Sequence, residues 1–245
     1  MTRKYLFNDR IYLESREKKM FTQIYAMQSV KESLACIEAG ADRIGLLVGE
    51  GDCPYPCHIP FTLAQEIYAA IGDKAQKILI SVHDKEEDII QECHILQPDI
   101  LHLCAEFQGS ASFREHLRNV CPQVKLMEAV GVRDESAIAE AIQKARYADI
   151  LILDSVSTKV PGVGAAGITH DWSIDRRIVE SVDVPVVLAG GLGPENVEAA
   201  IKAVAPAGVD SLTKTSVVKN GKLLRKDIAK VAEFCKRAKK CGSEY

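Results

Sequence analysis

The sequence lacks what would carry a chain across a membrane. No apolar run approaches the roughly 18 residues that span a bilayer, and the first twenty residues, MTRKYLFNDRIYLESREKKM, are too charged for a secretory signal. A cytoplasmic location is therefore the expectation, with no membrane partner. An excess of one charge is also missing. The formal net charge is -3 and the 27% charged residues are of mixed sign. With no basic stripe to track a phosphate backbone, nucleic acid is excluded as a partner class and small molecules are left. The eight cysteines (36, 53, 57, 93, 104, 121, 235 and 241) have no framework spacing, so reduced thiols are expected rather than a disulfide scaffold.

What is present is enough apolar residue for one large core. With 47% hydrophobic content over 245 residues, a second domain is not required. Short β-branched or apolar runs alternate with longer helical patterns, as parallel βα units do. The predicted strands are TQIYAM (22-27), DRIGLLV (42-48), QKILISV (76-82), DILHLC (99-104), VKLMEAV (124-130), DILILD (149-154), PVVLA (185-189) and GVDSL (208-212). Between them lie helical patterns. In SVKESLACIEAGAD, Ser29 can cap, Glu32 can complete a capping box and Gly40 can end the helix. PENVEAAIKAV places Pro194 in a first turn, and DESAIAEAIQKARY and LLRKDIAKVAEFCKRAKK supply two more amphipathic helices. Eight such units close most economically into an α/β fold, a single (βα)8 TIM barrel over residues 21-245, with a doubly wound open sheet as the alternative. Residues 1-20 form a short N-terminal extension whose role the sequence leaves open.

In a barrel, chemistry sits at the carboxyl ends of the strands. That rule selects Tyr25, Gln28, Glu50, His83, His102, Cys104, Glu128, Asp154 and Lys214. The run ADILILD stops at Asp154, so a rigid strand delivers one carboxylate to the mouth of a glycine-rich loop, PGVGAAG (161-167). Gly190 and Gly191 follow the seventh strand and precede a helix expected to begin near Pro194. Backbone amides and a helix dipole there favour an anion, and barrels commonly hold phosphate at the loops after strands seven and eight.

Several blocks resemble one family. EAGAD (38-42), LILDS (151-155), GAAG (164-167) leading to ITHDWS, and LAGGLGPENV (188-197) are similar to phosphoribosylanthranilate isomerase, in which they appear in the same order as LDS, GGTG, TFDWS and AGGLNPENV. The resemblance runs over nearly the whole chain from Gln23. It implies a barrel enzyme, an intramolecular oxidoreductase that performs an Amadori rearrangement on a phosphorylated sugar. By the same resemblance, Asp154 is the general acid that assists ring opening; Gly190 and Gly191, from their position, and Gly164 and Gly167, from a loop that can fold over a ligand or be an ordinary long loop, are the candidate phosphate- and substrate-binding glycines. The sequence departs from the family at three places. The family's base is a cysteine in a Lys-Ile-Cys-Gly context, where this chain has Gln23-Ile24-Tyr25-Ala26. Its Ser-Pro-Arg, whose arginine faces the anthranilate carboxylate, aligns with Tyr55-Pro56-Cys57. Its Ser-Ser-Gly after strand eight aligns approximately with Leu212-Thr213-Lys214.

The reading that follows is an isomerase acting by proton transfer on a phosphorylated sugar or sugar-like substrate other than phosphoribosylanthranilate. A tyrosine with a pKa near 10 makes a poor base, so Tyr25 needs help from elsewhere. Glu128 or His83 is the expected base. Strand alternation puts Leu126 and Glu128 on one face, and if that face is inward, Glu128 shares a cavity with Asp154 and the two pKa values are driven apart. The other reading of Glu128 is a partner for a buried Lys or Arg, that of His83 a helix-capping or solvent-facing loop residue, and that of His102 a hydrogen-bonded core histidine. Lys214 is expected to support the phosphate or, if desolvated, to form a Schiff base, the other reading being a simple surface lysine. No cofactor is expected; the alternative is a divalent metal held by strand-end histidines and carboxylates. Cys53-Pro-Tyr-Pro-Cys57-His58 has no matching second pair and reads as a proline-stiffened loop rather than a zinc site. A lyase or aldolase using Lys214 or a metal, and a non-catalytic barrel that binds a phosphorylated metabolite, remain alternatives. The assembly expected is a monomer or homodimer.

Overall fold

The computed structural model describes residues 20-243 other than 52, 54, 56, 157-170 and 221. Eight parallel strands form a closed barrel in sequence order: β1 (Phe21–Tyr25), β2 (Arg43–Val48), β3 (Gln76–Ser81), β4 (Ile100–Leu103), β5 (Lys125–Gly131), β6 (Ile150–Asp154), β7 (Val186–Leu188) and β8 (Gly208–Ser211). Helices α1 (Val30–Glu38), α2 (Phe61–Ile71), α3 (Glu86–Leu96), α4 (Ala111–Val120), α5 (Ser136–Lys144), α6 (Trp172–Ser181), α7 (Val197–Val204) and α8 (Ile228–Gly242) follow the strands in turn. All eight predicted strands are present. Among the described residues no helix is long and apolar enough to cross a membrane.

The strands are apolar on both faces because both are covered. One face fills the barrel with Tyr25, Ile78, Ile80, Ile100, Met127, Ala129, Ile150, Ile152, Val187 and Ala189. The other packs Ile44, Leu46, Leu101, Leu126, Val130, Leu151, Leu153 and Leu188 beneath the helices. Two glycines make room for aromatic rings inside. Gly45 pairs with Tyr25, and a Cβ there would come within 1.9 Å of the Tyr25 ring. Gly208 pairs with Phe21, and a Cβ there would lie 2.1 Å from it.

Local signals set the helix ends. Ser29 caps α1 by accepting from the Glu32 amide at 3.2 Å, and Gly40 past its end has φ +106°. Glu32 departs from a simple capping box: its carboxylate accepts from the Gln28 amide at 2.7 Å and from the Lys226 amide. Two expectations need correction. Pro194 lies in a turn ahead of α7, which begins at Val197. LLRK is not helical: an antiparallel hairpin, β9 (Ser216–Lys219) and β10 (Lys222–Lys226), follows β8. The Asp227 side chain accepts from the Lys230 amide and starts α8 only after it.

Candidate active site

At the carboxyl ends of β6, β7 and β8 lies a small solvent-open cleft, lined by Asp154, Gly190, Gly191, Leu192, Asp210, Ser211, Leu212 and Thr213. Asp154 ends β6 in phase with Ile150 and Ile152, so its side chain belongs to the interior face. Its Oδ1 accepts from the Ser155 amide at 2.7 Å. Gly190 and Gly191 have φ values of +84° and +62°, a left-handed pair that side chains rarely adopt. The turn after them is internally tied. Asn196 Oδ1 accepts from the Gly193 amide at 2.8 Å, its Nδ2 donates to Gly191 O at 3.2 Å, and Ser211 Oγ donates to Leu192 O at 2.7 Å. The predicted carboxylate and the predicted glycine turn therefore share one wall-to-wall cleft.

The second carboxylate in that cleft is Asp210, which the sequence reading passed over. Alternation along β8 aims Gly208, against Phe21, and Asp210 inward. Burial pushes the Asp210 carboxyl well above the usual range and the neighbouring Asp154 raises it further, while Gln23 and Lys226 oppose the shift. A carboxyl that keeps its proton beside a second carboxylate is the arrangement that suits paired acid and base work.

Two polar residues of the barrel interior under the cleft are neutral. Tyr25 Oη and His102 Nδ1 share a 2.7 Å hydrogen bond. Burial raises the Tyr25 phenol well above its ordinary value and lowers His102 to about 3, so neither is charged at neutral pH. The residue in the position of the family's basic cysteine is thus a protonated phenol, and His102 is a hydrogen-bonded interior histidine. Cys104, half-buried at the end of β4, is also held as a thiol. Burial, with Asp154, Asp210 and Glu128, pushes it to about 12.

Two expected participants, Glu128 and His83, lie elsewhere, and a third, Lys214, stands at the rim. Glu128 shares its face of β5 with Leu126 and Val130, and that face is the outer one. Its carboxylate sits beneath the helices, 3.7 Å from Lys144 Nζ and packed so closely on Gly109 that a Cβ there would come within 1.8 Å. Burial raises it to about 7 and Lys144 opposes the shift. It is a buried partner of a lysine, not a second carboxylate beside Asp154. His83 is exposed two residues past β3 and acts electrostatically on Glu92 of α3, because its phase is that of the outward Ser81. Lys214 is an exposed rim residue 3.9 Å from Glu195, without the desolvation that turns an amine into an imine-former. Gln28 Nε2 donates to Cys57 O at 2.9 Å and Glu50 accepts from the Phe61 amide at 2.8 Å, so both hold loops. Gly164 and Gly167 lie outside the described residues. Among the described residues no group of three or more His, Cys, Asp and Glu is placed to hold a metal ion.

The family model for N-(5'-phosphoribosyl)anthranilate isomerase matches residues 62-237. The chain is 37% identical over 127 residues to the isomerase of that name from Methanocella arvoryzae, covering 52% of this chain and 56% of the relative. It is 41% identical over 123 residues to isomerase 2 of Methanosarcina mazei, covering 50% and 53%. The matched stretch spans about half the length of these curated relatives. The crystal structure of phosphoribosyl anthranilate isomerase from Thermotoga maritima superposes with a TM-score of 0.72 at 25% identity, over 90% of this chain and 99% of that one. The barrel, the position of Asp154 ahead of the paired glycines and a family match over most of the sequence lead to one conclusion: the chain belongs to the N-(5'-phosphoribosyl)anthranilate isomerase family.

Proposed function

We propose that the protein isomerises a phosphoribosyl-type substrate by proton transfer, with Asp154 and Asp210 working as a pair. The observation that carries the reading is the presence of both carboxyls in one cleft with Gly190 and Gly191. The amides and left-handed turn of those glycines suit a phosphate, and Lys214 adds positive charge at the rim. The pair begins with one proton. That proton rests on Asp210 and is passed through Asp154 to the ring oxygen as the bond from that oxygen to C1 breaks and the nitrogen lone pair forms the C=N bond, which leaves both carboxylates ionised. The pair then takes the proton from C2, the C–H electrons form C1=C2, and the C=N electrons return to nitrogen. The pair gives its proton to C1 of the enol-amine so formed and takes one from the C2 hydroxyl as C2=O forms, so the pair again holds one proton. Asp210 thereby does the work for which Glu128 was expected, and Tyr25 is a neutral residue beneath the site.

The substrate we infer is not phosphoribosylanthranilate itself. Cys57 stands where the family places the arginine that faces the anthranilate carboxylate, so an uncharged substituent on the nitrogen is favoured. The test is turnover of phosphoribosylamines bearing either an aniline or an anthranilate group. The aniline compound should be converted with the higher kcat/KM. Conversion of the anthranilate compound at least as well would overturn the substrate assignment, and conversion of neither would overturn the isomerase reading.

A further inference from the structure

Lys226, the last residue of β10, is only 2% exposed. A buried ammonium requires compensation. Its Nζ donates to Leu212 O at 3.0 Å and to Ser216 Oγ at 2.9 Å, and Ser216 Oγ donates in turn to Leu212 O at 2.6 Å. Both acceptors are neutral oxygens, and Leu212 is itself a wall of the cleft. On the other side, the Lys226 amide donates to Glu32, whose second oxygen holds the Gln28 amide just past β1. The residue is thus clamped between the exits of β1 and β8, directly behind the strand that carries Asp210.

We propose that Lys226 is a positioning residue for the cleft: it fixes the wall at Leu212 and supplies the positive potential that lets the Asp154 and Asp210 pair carry a negative charge. The proposal rests on the paired-carboxyl reading. The charged and titratable groups facing Lys226 are Asp210 from β8, Glu32 and Cys36 from α1, and Cys57 from the loop after β2. Those facing Asp210 are Asp154 from β6, Lys226, and the Tyr25 phenol and Cys104 thiol, with the Gln23 amide from β1. Lys226 alone among these is a cation. Burial lowers its ammonium to about 8, against which Asp210 and Glu32 hold it charged. The lysine and Asp210 therefore stabilise each other's ionised forms. A lysine that only tied the hairpin to β8 would leave the proton affinity of Asp210 unchanged.

Carboxyl carbon NMR of the protein labelled at aspartate, with Asp210→Asn for assignment, reads this without any substrate. In Lys226→Met the Asp210 midpoint should rise by about one pH unit, a tenfold gain in proton affinity. A folded variant whose midpoint moves by less than about 0.3 unit would overturn the proposal. Should that variant fail to fold, the lysine side-chain nitrogen resonance of the unaltered protein carries the reciprocal test. Lys226 must show an inflection at the Asp210 midpoint that vanishes in Asp210→Asn, and its absence would equally overturn the assignment. If the titrations couple while Asp154→Asn leaves turnover intact, the catalytic reading fails and the electrostatic one stands.

Discussion

Asp154 on β6 and Asp210 on β8 face one cleft from either side of β7, with the left-handed Gly190 and Gly191 turn between them. Like charges facing one cleft repel, so one of the two keeps its proton, and burial selects Asp210 for that state.

A first consequence is a pH-dependent stability. The Asp210 carboxyl ionises near about 3.9 in the unfolded chain and well above that in the native one. Between those values the native state binds one more proton than the unfolded state, so the contribution of Asp210, complete below both, is lost as pH rises through the native pKa. Asp210→Asn cannot ionise. Its stability relative to the unaltered protein should improve from about pH 4 upward by as much as about 1.4 kcal/mol per pH unit. Denaturant unfolding at several pH values measures this, and a pH-independent difference would contradict it.

Tyr25 and Gly45 form a second dependent pair. A Cβ at residue 45 would penetrate the Tyr25 ring, so Gly45→Ala should destabilise by about 1–3 kcal/mol through overpacking. In a Tyr25→Leu background the same change should cost distinctly less, and a double-mutant cycle reads the difference. Equal costs in both backgrounds would show that the ring is not what Gly45 accommodates.

Ala26 has φ +66°, where the family motif has glycine. A left-handed alanine carries roughly 1–2 kcal/mol of strain, part of which glycine returns as unfolded-chain entropy. Ala26→Gly should therefore leave stability unchanged or raise it by up to about 1 kcal/mol. A loss of more than about 1 kcal/mol in equilibrium unfolding would contradict the strain assignment.

Glu128→Gln should leave kcat/KM within about threefold, since the carboxylate lies outside the barrel with Lys144; loss of a general base costs about 100-fold or more. Steady-state assay of this variant decides between the outer position and a role in proton transfer.

The eight strands were legible because their apolar runs are bounded by turn and cap residues, and Asp154 because the run DILILD ends on it. Phase was not. Strands covered on both faces carry no hydrophobic label for inside and outside, and a one-residue error in phase reverses every side chain. Glu128 was misplaced for that reason, whereas Asp210 lay in the short polar run GVDSL, where the inward step from Gly208 marks it. The β9–β10 hairpin stayed hidden because LLRK satisfies a helical pattern when joined to the residues after Asp227. Only the Asp227 cap separates the two, and with the hairpin went the burial of Lys226.

The most direct measurement of the central claim is single-turnover conversion of a phosphoribosylamine by Asp154→Asn and Asp210→Asn. If the pair supplies and recovers the proton, each variant should lose about 100- to 10,000-fold in the chemical step, and the double variant should lose little more than the worse single one, because the two groups act as a unit. Full activity in Asp210→Asn, or losses that multiply in the double variant, would contradict the account.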